Sequence, residues 1–223
     1  MKLGRINMLI ESFRKELLGP PNWVASKDVF EYGEQSIATI VMLKLIRAAQ
    51  GLSALRVLCH AGLFIDMGSS LRSVNDCIEE IYFLLENYPA KPSAHVEQFV
   101  KNFFEGTIDG YLDVTTHQVQ RDKIRSAGVR VLKGCHDDAM QKLLERIYKA
   151  FCGYTHAGYA NIMEVYNGST DSFNLEGVPS EKVRRGWEKH YALACDAVLM
   201  AGAFAAQKFG MKEYFNAMMK NLE

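Results

Sequence analysis

The sequence predicts an all-α fold, an antiparallel helical bundle built from long helices, and three observations predict it. Apolar residues recur at steps of three, four or seven through several long segments, the stripe of a helix packed along one side. The five prolines fall at only three places, Pro20 and Pro21, Pro89 and Pro92, and Pro179, where helices should stop or start. No apolar/polar alternation runs long enough to suggest a sheet.

Residues 1–18 interleave Arg5, Glu11, Arg14, Lys15 and Glu16 with apolar positions, which predicts an amphipathic helix and lacks the continuous apolar core of a signal peptide. Over residues 28–60 the stripe Phe30, Ile37, Val41, Leu45, Leu52 and Cys59 predicts one long helix, with Gly51 and Gly62 placed to bend or end it. A second stripe over 63–87, through Leu71, Val74, Ile78, Ile81 and Leu85, closes at Tyr88-Pro89 and should pack antiparallel to the first. Ser93 reads as the N-cap of a helix reaching residue 105. Residues 107–134 carry several glycines and weak periodicity, and read as a connector with one short basic helix near 118–125. Helices return over 137–154 and, after Pro179 and the cap Ser180, over 180–209. The expected organisation is a single domain, 1–223: an N-terminal helix and Pro-rich turn (1–27), the bundle (28–210) and a tail helix (211–223).

Charge and composition narrow the function classes. Apolar residues make up 48% and charged residues 23% of the chain, which excludes disordered and low-complexity classes. Lys plus Arg and Asp plus Glu both number 26, so no overall positive field draws the chain to nucleic acid or anionic lipid, and any such binding must be local. Five scattered cysteines without a Cys-x-x-Cys pair read as buried thiols in a reducing compartment, so a cytoplasmic location is expected. The longest stretches without a charged residue, 150–163 and 197–207, fall short of the roughly 18 to 20 apolar residues that span a bilayer, and no membrane association is expected. Glycine-rich nucleotide loops, the Gly-x-Ser-x-Gly elbow, Glu-x-x-His and His-Glu-x-x-His are all missing, so neither cofactor nor metal is expected.

Three places could carry chemistry. His156 lies at the centre of the uncharged, small-residue stretch 150–163, and reads either as a core histidine tying two helices or as an acid/base group near neutral pH. The core tie is the expectation. Arg72, Asp76, Glu79 and Glu86 share one face of a helical wheel, the other three within about 40° of Arg72, opposite Val74, Cys77 and Ile81. That polar face is either solvated or, if another helix covers it, the place where Arg72 and Glu79 become a buried charged pair. Asp196 is the single charged residue between Lys189 and Lys208, and is expected to be buried as a structural tie.

Two segments, Leu71-Arg72-Ser73-Val74-Asn75-Asp76-Cys77-Ile78-Glu79 and Tyr148-Lys149-Ala150-Phe151-Cys152-Gly153-Tyr154-Thr155-His156-Ala157-Gly158, together resemble an uncharacterised bacterial helical-bundle family similar to HEPN-like domains. The resemblance covers approximately residues 35 to 205. It implies an all-α, commonly dimeric protein, either an RNA-cleaving enzyme or a non-catalytic binding or adaptor member. The nuclease signature of such proteins is an arginine, four to six residues, then a histidine. Arg185 with His190 fits that spacing, as do Arg184 with His190 and Arg130 with His136, whereas His156 has no arginine there.

Two functions are therefore expected. The first is a cytoplasmic binding or adaptor protein, a homo-oligomer with a protein or RNA partner, in which Arg72, Glu79 and His156 hold helices together in one cluster. The alternative is a metal-independent endoribonuclease of RNA processing or phage and toxin defence, with His156 or His190 as acid/base and Arg72 or Arg185 at the phosphate.

Overall fold

The computed structural model describes residues 2–105 and 119–222, and over these it is helical. Helix α1 (Lys2–Leu18) buries Leu3, Ile6, Ile10 and Phe13, the inward face of an amphipathic helix. Helix α2 (Ile37–Ala61) runs through the centre of the bundle, and Ile40, Val41, Met42, Leu45, Leu52 and Leu55 are all fully enclosed. Each such side chain contributes about 1.5–3 kcal/mol by leaving water. Helix α3 (Phe64–Leu85) lies antiparallel beside it; α4 (Ala94–Glu105), α5 (Arg121–Lys133), α6 (Asp138–Thr155) and the short α7 (Tyr159–Met163) follow. The long α8 (Glu181–Lys208) re-enters the core against α2 and α3, and α9 (Lys212–Met219) folds back on it. By length and composition α2 is the one described helix apolar enough to cross a bilayer, a span that counting uncharged stretches did not anticipate. Half of its most apolar stretch is buried inside the bundle, as expected of a core helix.

The long helix expected from residue 28 begins at Ile37 instead. Residues 22–31 form a two-stranded antiparallel ribbon, β1 (Asn22–Val24) with β2 (Val29–Glu31), in which Trp23 faces Phe30 across the strands with ring centroids 4.9 Å apart. Asp28, at a φ of 56°, makes the reversal. Phe30 thus matched the helical period by coincidence and is 66% exposed. The true start is marked by Ser36, whose hydroxyl accepts from the Thr39 amide at 3.2 Å. Arg14 holds the ribbon's exit to α1 by donating to the Tyr32 hydroxyl and the Gly19 carbonyl. A second ribbon, β3 (Tyr166–Asn167) with β4 (Ser172–Phe173), precedes α8. Both ribbons are too short to show an alternation.

Elsewhere the punctuation is local chemistry. At the α2–α3 corner Gly62 takes a left-handed φ of 73°, with its amide on Cys59 O and that of Leu63 on Leu58 O, the paired bonds of a Schellman cap. The Gly62 carbonyl then accepts from the Val178 amide at 3.0 Å, binding the approach to α8 onto this corner. Ser93, Asp137 and Ser180 each accept from an amide in the first turn of α4, α6 and α8. The short basic helix expected near 118–125 is α5, which starts at Arg121 and runs to Lys133. The rest of the expected connector, 107–118, lies outside the described residues. The last long helix ends at Lys208, whose ammonium donates to the carbonyls of Glu86 and Tyr88 at the end of α3.

Two of the cysteines depart from the expected burial: Cys135 is exposed and Cys152 half-buried, while Cys59, Cys77 and Cys195 lie in the core. Burial pushes the Cys77 thiol up to about 11.

Helix α6 packs tightly on α3 at Gly68, where an added Cβ would stand 2.3 Å from the Tyr154 ring. Gly68→Ala is therefore expected to lower stability by about 1–3 kcal/mol through overpacking. Gly186→Ala, with open space at the same atom, should be neutral or slightly stabilising. Urea denaturation of the two variants beside the parent checks both.

Candidate functional site

The polar face of α3 is covered, not solvated. Helices α5 and α6 close over it, and α2 meets its edge. Asp76 accepts both contacts of the Arg72 Nε, at 2.9 and 3.0 Å, and also takes a short bond from Arg121. Glu80 bridges two helices, accepting from Arg121 Nη1 at 2.7 Å and pairing with Lys44 of α2 at 2.6 Å. Glu79 stands between Arg121 and Arg125, with Nε to carboxylate distances of 3.5 and 3.6 Å. Arg125, only 3% exposed, also donates to Asp122 at 3.1 Å. Above this row lies Tyr148 of α6. The Arg72 guanidinium stacks 3.6 Å from its ring centroid and that of Arg125 4.5 Å away. Arg72 Nη1 further donates to Cys152 Sγ at 2.6 Å.

Arginine suits such a place because its planar fork meets two acceptors while its face stacks on a ring. The satisfaction is incomplete, however. Glu79 Oε2, Arg121 Nε and Arg125 Nε are buried without a hydrogen bond, so Glu79 is held by charge at ion-pair distance only. Burial raises the Glu79 carboxyl above the usual carboxylate range, and the pull of Arg121 and Arg125 does not offset it. Burial alone would lower Arg121, but Asp76, Glu80 and Glu79 outweigh it and hold its proton more firmly than usual.

Arg72 and Glu79 thus enter one network, though not as partners of each other. His156 does not join them. It is exposed, where a core tie was expected, and serves α6 as C-cap through its backbone, its amide reaching Cys152 O at 2.9 Å. The physical reason lies in the small residues around it, which build a turn and not a packing surface. Ala157 takes a left-handed φ of 51°, and Gly153 and Gly158 both lie against the Asn161 side chain. The alternative pair is also not united. Arg185 binds Glu181 at 3.3 Å on the surface, while the exposed His190 sets its ring against Trp187 and Phe151 at 5.6 and 6.5 Å. Five residues of α-helix turn the two by about 140° from one another. Asp196 is 41% exposed in its side chain and pairs with Lys2 at 2.5 Å, tying α1 to α8 from the surface and not from the core expected for it.

The residues missed in the sequence are Lys44, Glu80, Arg121, Arg125 and Tyr148. Beside them a cleft of about 560 Å³ is walled by Arg72, Asp76, Arg121 and Tyr148 on its charged side and by Phe99 and Phe103 on its apolar side. The charged groups on its wall already hold each other, and among the described residues no histidine lines it. Among the described residues no three His, Cys, Asp or Glu side chains gather as a metal shell. Among the described residues the arrangement locks helices together and presents cations and rings. Compared with protein-family models, curated proteins and solved structures, the chain matches none.

The raised Glu79 carboxyl fixes a sign. The native state holds this proton more tightly than the unfolded chain, so the group's contribution is most favourable below the unfolded value and declines as pH rises through the folded one. The stability of the parent minus that of Glu79→Gln should therefore fall from about pH 4 to about pH 7. Urea denaturation across that range checks it, and a difference that rises with pH would contradict the placement of Glu79.

Proposed function

We propose that this chain is a HEPN-like helical protein that works by binding, as an adaptor, and not by cleaving RNA. The observation that carries the reading is the separation of the residues a metal-free ribonuclease would need. Arg72 is committed to Asp76, Cys152 and the Tyr148 ring, His156 stands outside that network, and Arg185 and His190 face different sides of α8. A base to activate a 2′-hydroxyl and a cation to meet the phosphorane must converge within a few ångströms, about 3 Å from the reacting atoms. The reading is supported by the fact that no described hydrogen bond, ion pair or ring contact joins an arginine of this set to a histidine of it.

The likeness to HEPN domains is supported by the pairing of the two segments that carry it. The Arg-Ser and acidic segment lies on α3, the Tyr-Thr-His segment on α6 and its C-cap, and the bond from Arg72 to Cys152 joins the two helices at those segments.

The test is incubation of the full chain with a structured RNA in buffer containing a chelator, the products read on a denaturing gel. The expected result is intact RNA. The expected effect of His156→Ala on stability is within about 0.5 kcal/mol, as for an ordinary surface position. Cleavage that disappears in His156→Ala while the melting curve stays in place would overturn the adaptor reading in favour of the enzyme.

A further inference from the structure

Helix α6 has a strongly amphipathic sequence, yet none of its 18 residues is fully buried. Its apolar stripe is only partly used. Tyr148, Phe151 and Tyr154 pack towards α3 and α8, while Leu143 is left 50% and Ile147 38% exposed. Two neighbouring helices share the defect. Leu132 near the end of α5 is 45% exposed, and on α8 Leu193 and Met200, which are about 20° apart on the wheel, are 65% and 40% exposed. Of these positions Leu132, Ile147 and Met200 line one groove. A groove of about 270 Å³ has Ile78 and Tyr82 of α3 as its floor and Leu132, Leu144, Ile147 and Met200 on its walls. Elsewhere α6 and α8 meet through the rings of Phe151 and His190.

The rim has a sign. On the outer side of the α6 stripe stand Lys142 and Arg146, beside Leu132 stands Lys133, and one turn before Leu193 stands Lys189. All four are exposed, and none pairs with a described carboxylate. Of the acidic groups nearby, Glu145 pairs with Lys149, Asp196 pairs with Lys2, Asp138 lies 2.9 Å from the His136 ring, and Glu79 at the groove's base faces Arg121 and Arg125. A second copy of the chain would bring the same basic rim against itself, which electrostatics opposes. A flat lipid surface would not enter a cleft walled by three helices. An apolar groove between helices with a basic border is complementary to one kind of partner, an amphipathic helix whose apolar face is flanked by acidic residues.

We propose that the groove between α5, α6 and α8 is a docking site for such an acidic amphipathic helix, supplied by another protein. This rests on the binding reading above and names the partner for it. The partner's apolar residues at i, i+3 or i+4, and i+7 lie over Ile78 and Tyr82, and its carboxylates meet Lys142, Arg146 and Lys189.

The probe is a fluorescein-labelled helical peptide of about four turns, with leucine at the groove-facing positions and glutamate on both flanks. Its binding to the full chain is followed by anisotropy. Controls are the same peptide with lysine flanks and a scrambled glutamate peptide. Saturable binding of the glutamate peptide alone is expected, weakened at least about tenfold by Met200→Glu or by Lys142→Glu with Arg146→Glu, and weakened by added salt. The substituted side chains are exposed, and an unchanged melting curve verifies that each variant folds. Equal binding of all three peptides, or binding indifferent to these substitutions, overturns the proposal. So does a chain that forms a dimer by light scattering which Met200→Glu breaks, since the groove then belongs to a second copy. Substitution-sensitive adsorption to phosphatidylcholine and phosphatidylglycerol vesicles, without peptide binding, assigns the face to a membrane and also overturns it. In each of these cases the RNA experiment stands apart: intact RNA with no peptide binding removes the groove and leaves the adaptor reading in place.

Discussion

Three carboxylates within little more than one turn of a single helix, Asp76, Glu79 and Glu80, face into the bundle, and everything on that side of the molecule is arranged around neutralising them. A helix presenting such a row to a low-dielectric interior would be expelled from it unless cations came from elsewhere. They come from three directions: Lys44 from α2, Arg121 and Arg125 from α5, and Arg72 from α3 itself. Tyr148 then covers two of the guanidiniums and brings α6 with it. The apolar core specifies that α2, α3 and α8 associate. The charged row specifies where along α3 the helices α5 and α6 must sit, because a shift of one turn would separate each arginine from its carboxylate.

What the sequence could show divides along the same line. Helices whose stripe meets a single apolar neighbour were legible, together with two of their caps: Ser93 and Ser180 open α4 and α8 as read. The start of α2 was not, because Phe30 stands seven residues before Ile37 and extends the stripe through a ribbon that is held by a turn at Asp28 and an edge-to-face pair with Trp23. Tertiary pairing of that kind has no period.

The site was half legible for a related reason. The polar side of α3 could be located, since Arg72, Asp76 and Glu79 share a wheel position, but its partners sit on helices more than 40 residues away in sequence, at Arg121 and Arg125. Their own neighbourhood is weakly periodic, so nothing local marks them as inward-pointing. For His156 the inference from missing charge failed. A run without Asp, Glu, Lys or Arg can be a core segment or a tight turn of small residues, and Tyr159, 82% exposed, shows which it is here. Among the described residues no hydrogen bond, ion pair or ring contact joins His156 to an arginine, and the functional interest moves to the surfaces that α6 leaves open.

The way α8 is fastened has a mechanical consequence. It is pinned at both ends, at its approach by the bond from Val178 to the Gly62 carbonyl and at its finish by Lys208 on the last carbonyls of α3. Helix α6 is pinned chiefly along its second half, where Tyr148, Cys152 and Tyr154 grip Arg72 and Gly68, while its first half rests on partly exposed leucines. The firm contacts of α6 therefore gather around the ring that two guanidiniums share, and the half of the helix that carries Leu143 and Leu144 is held by the weaker grip of side chains still open to water.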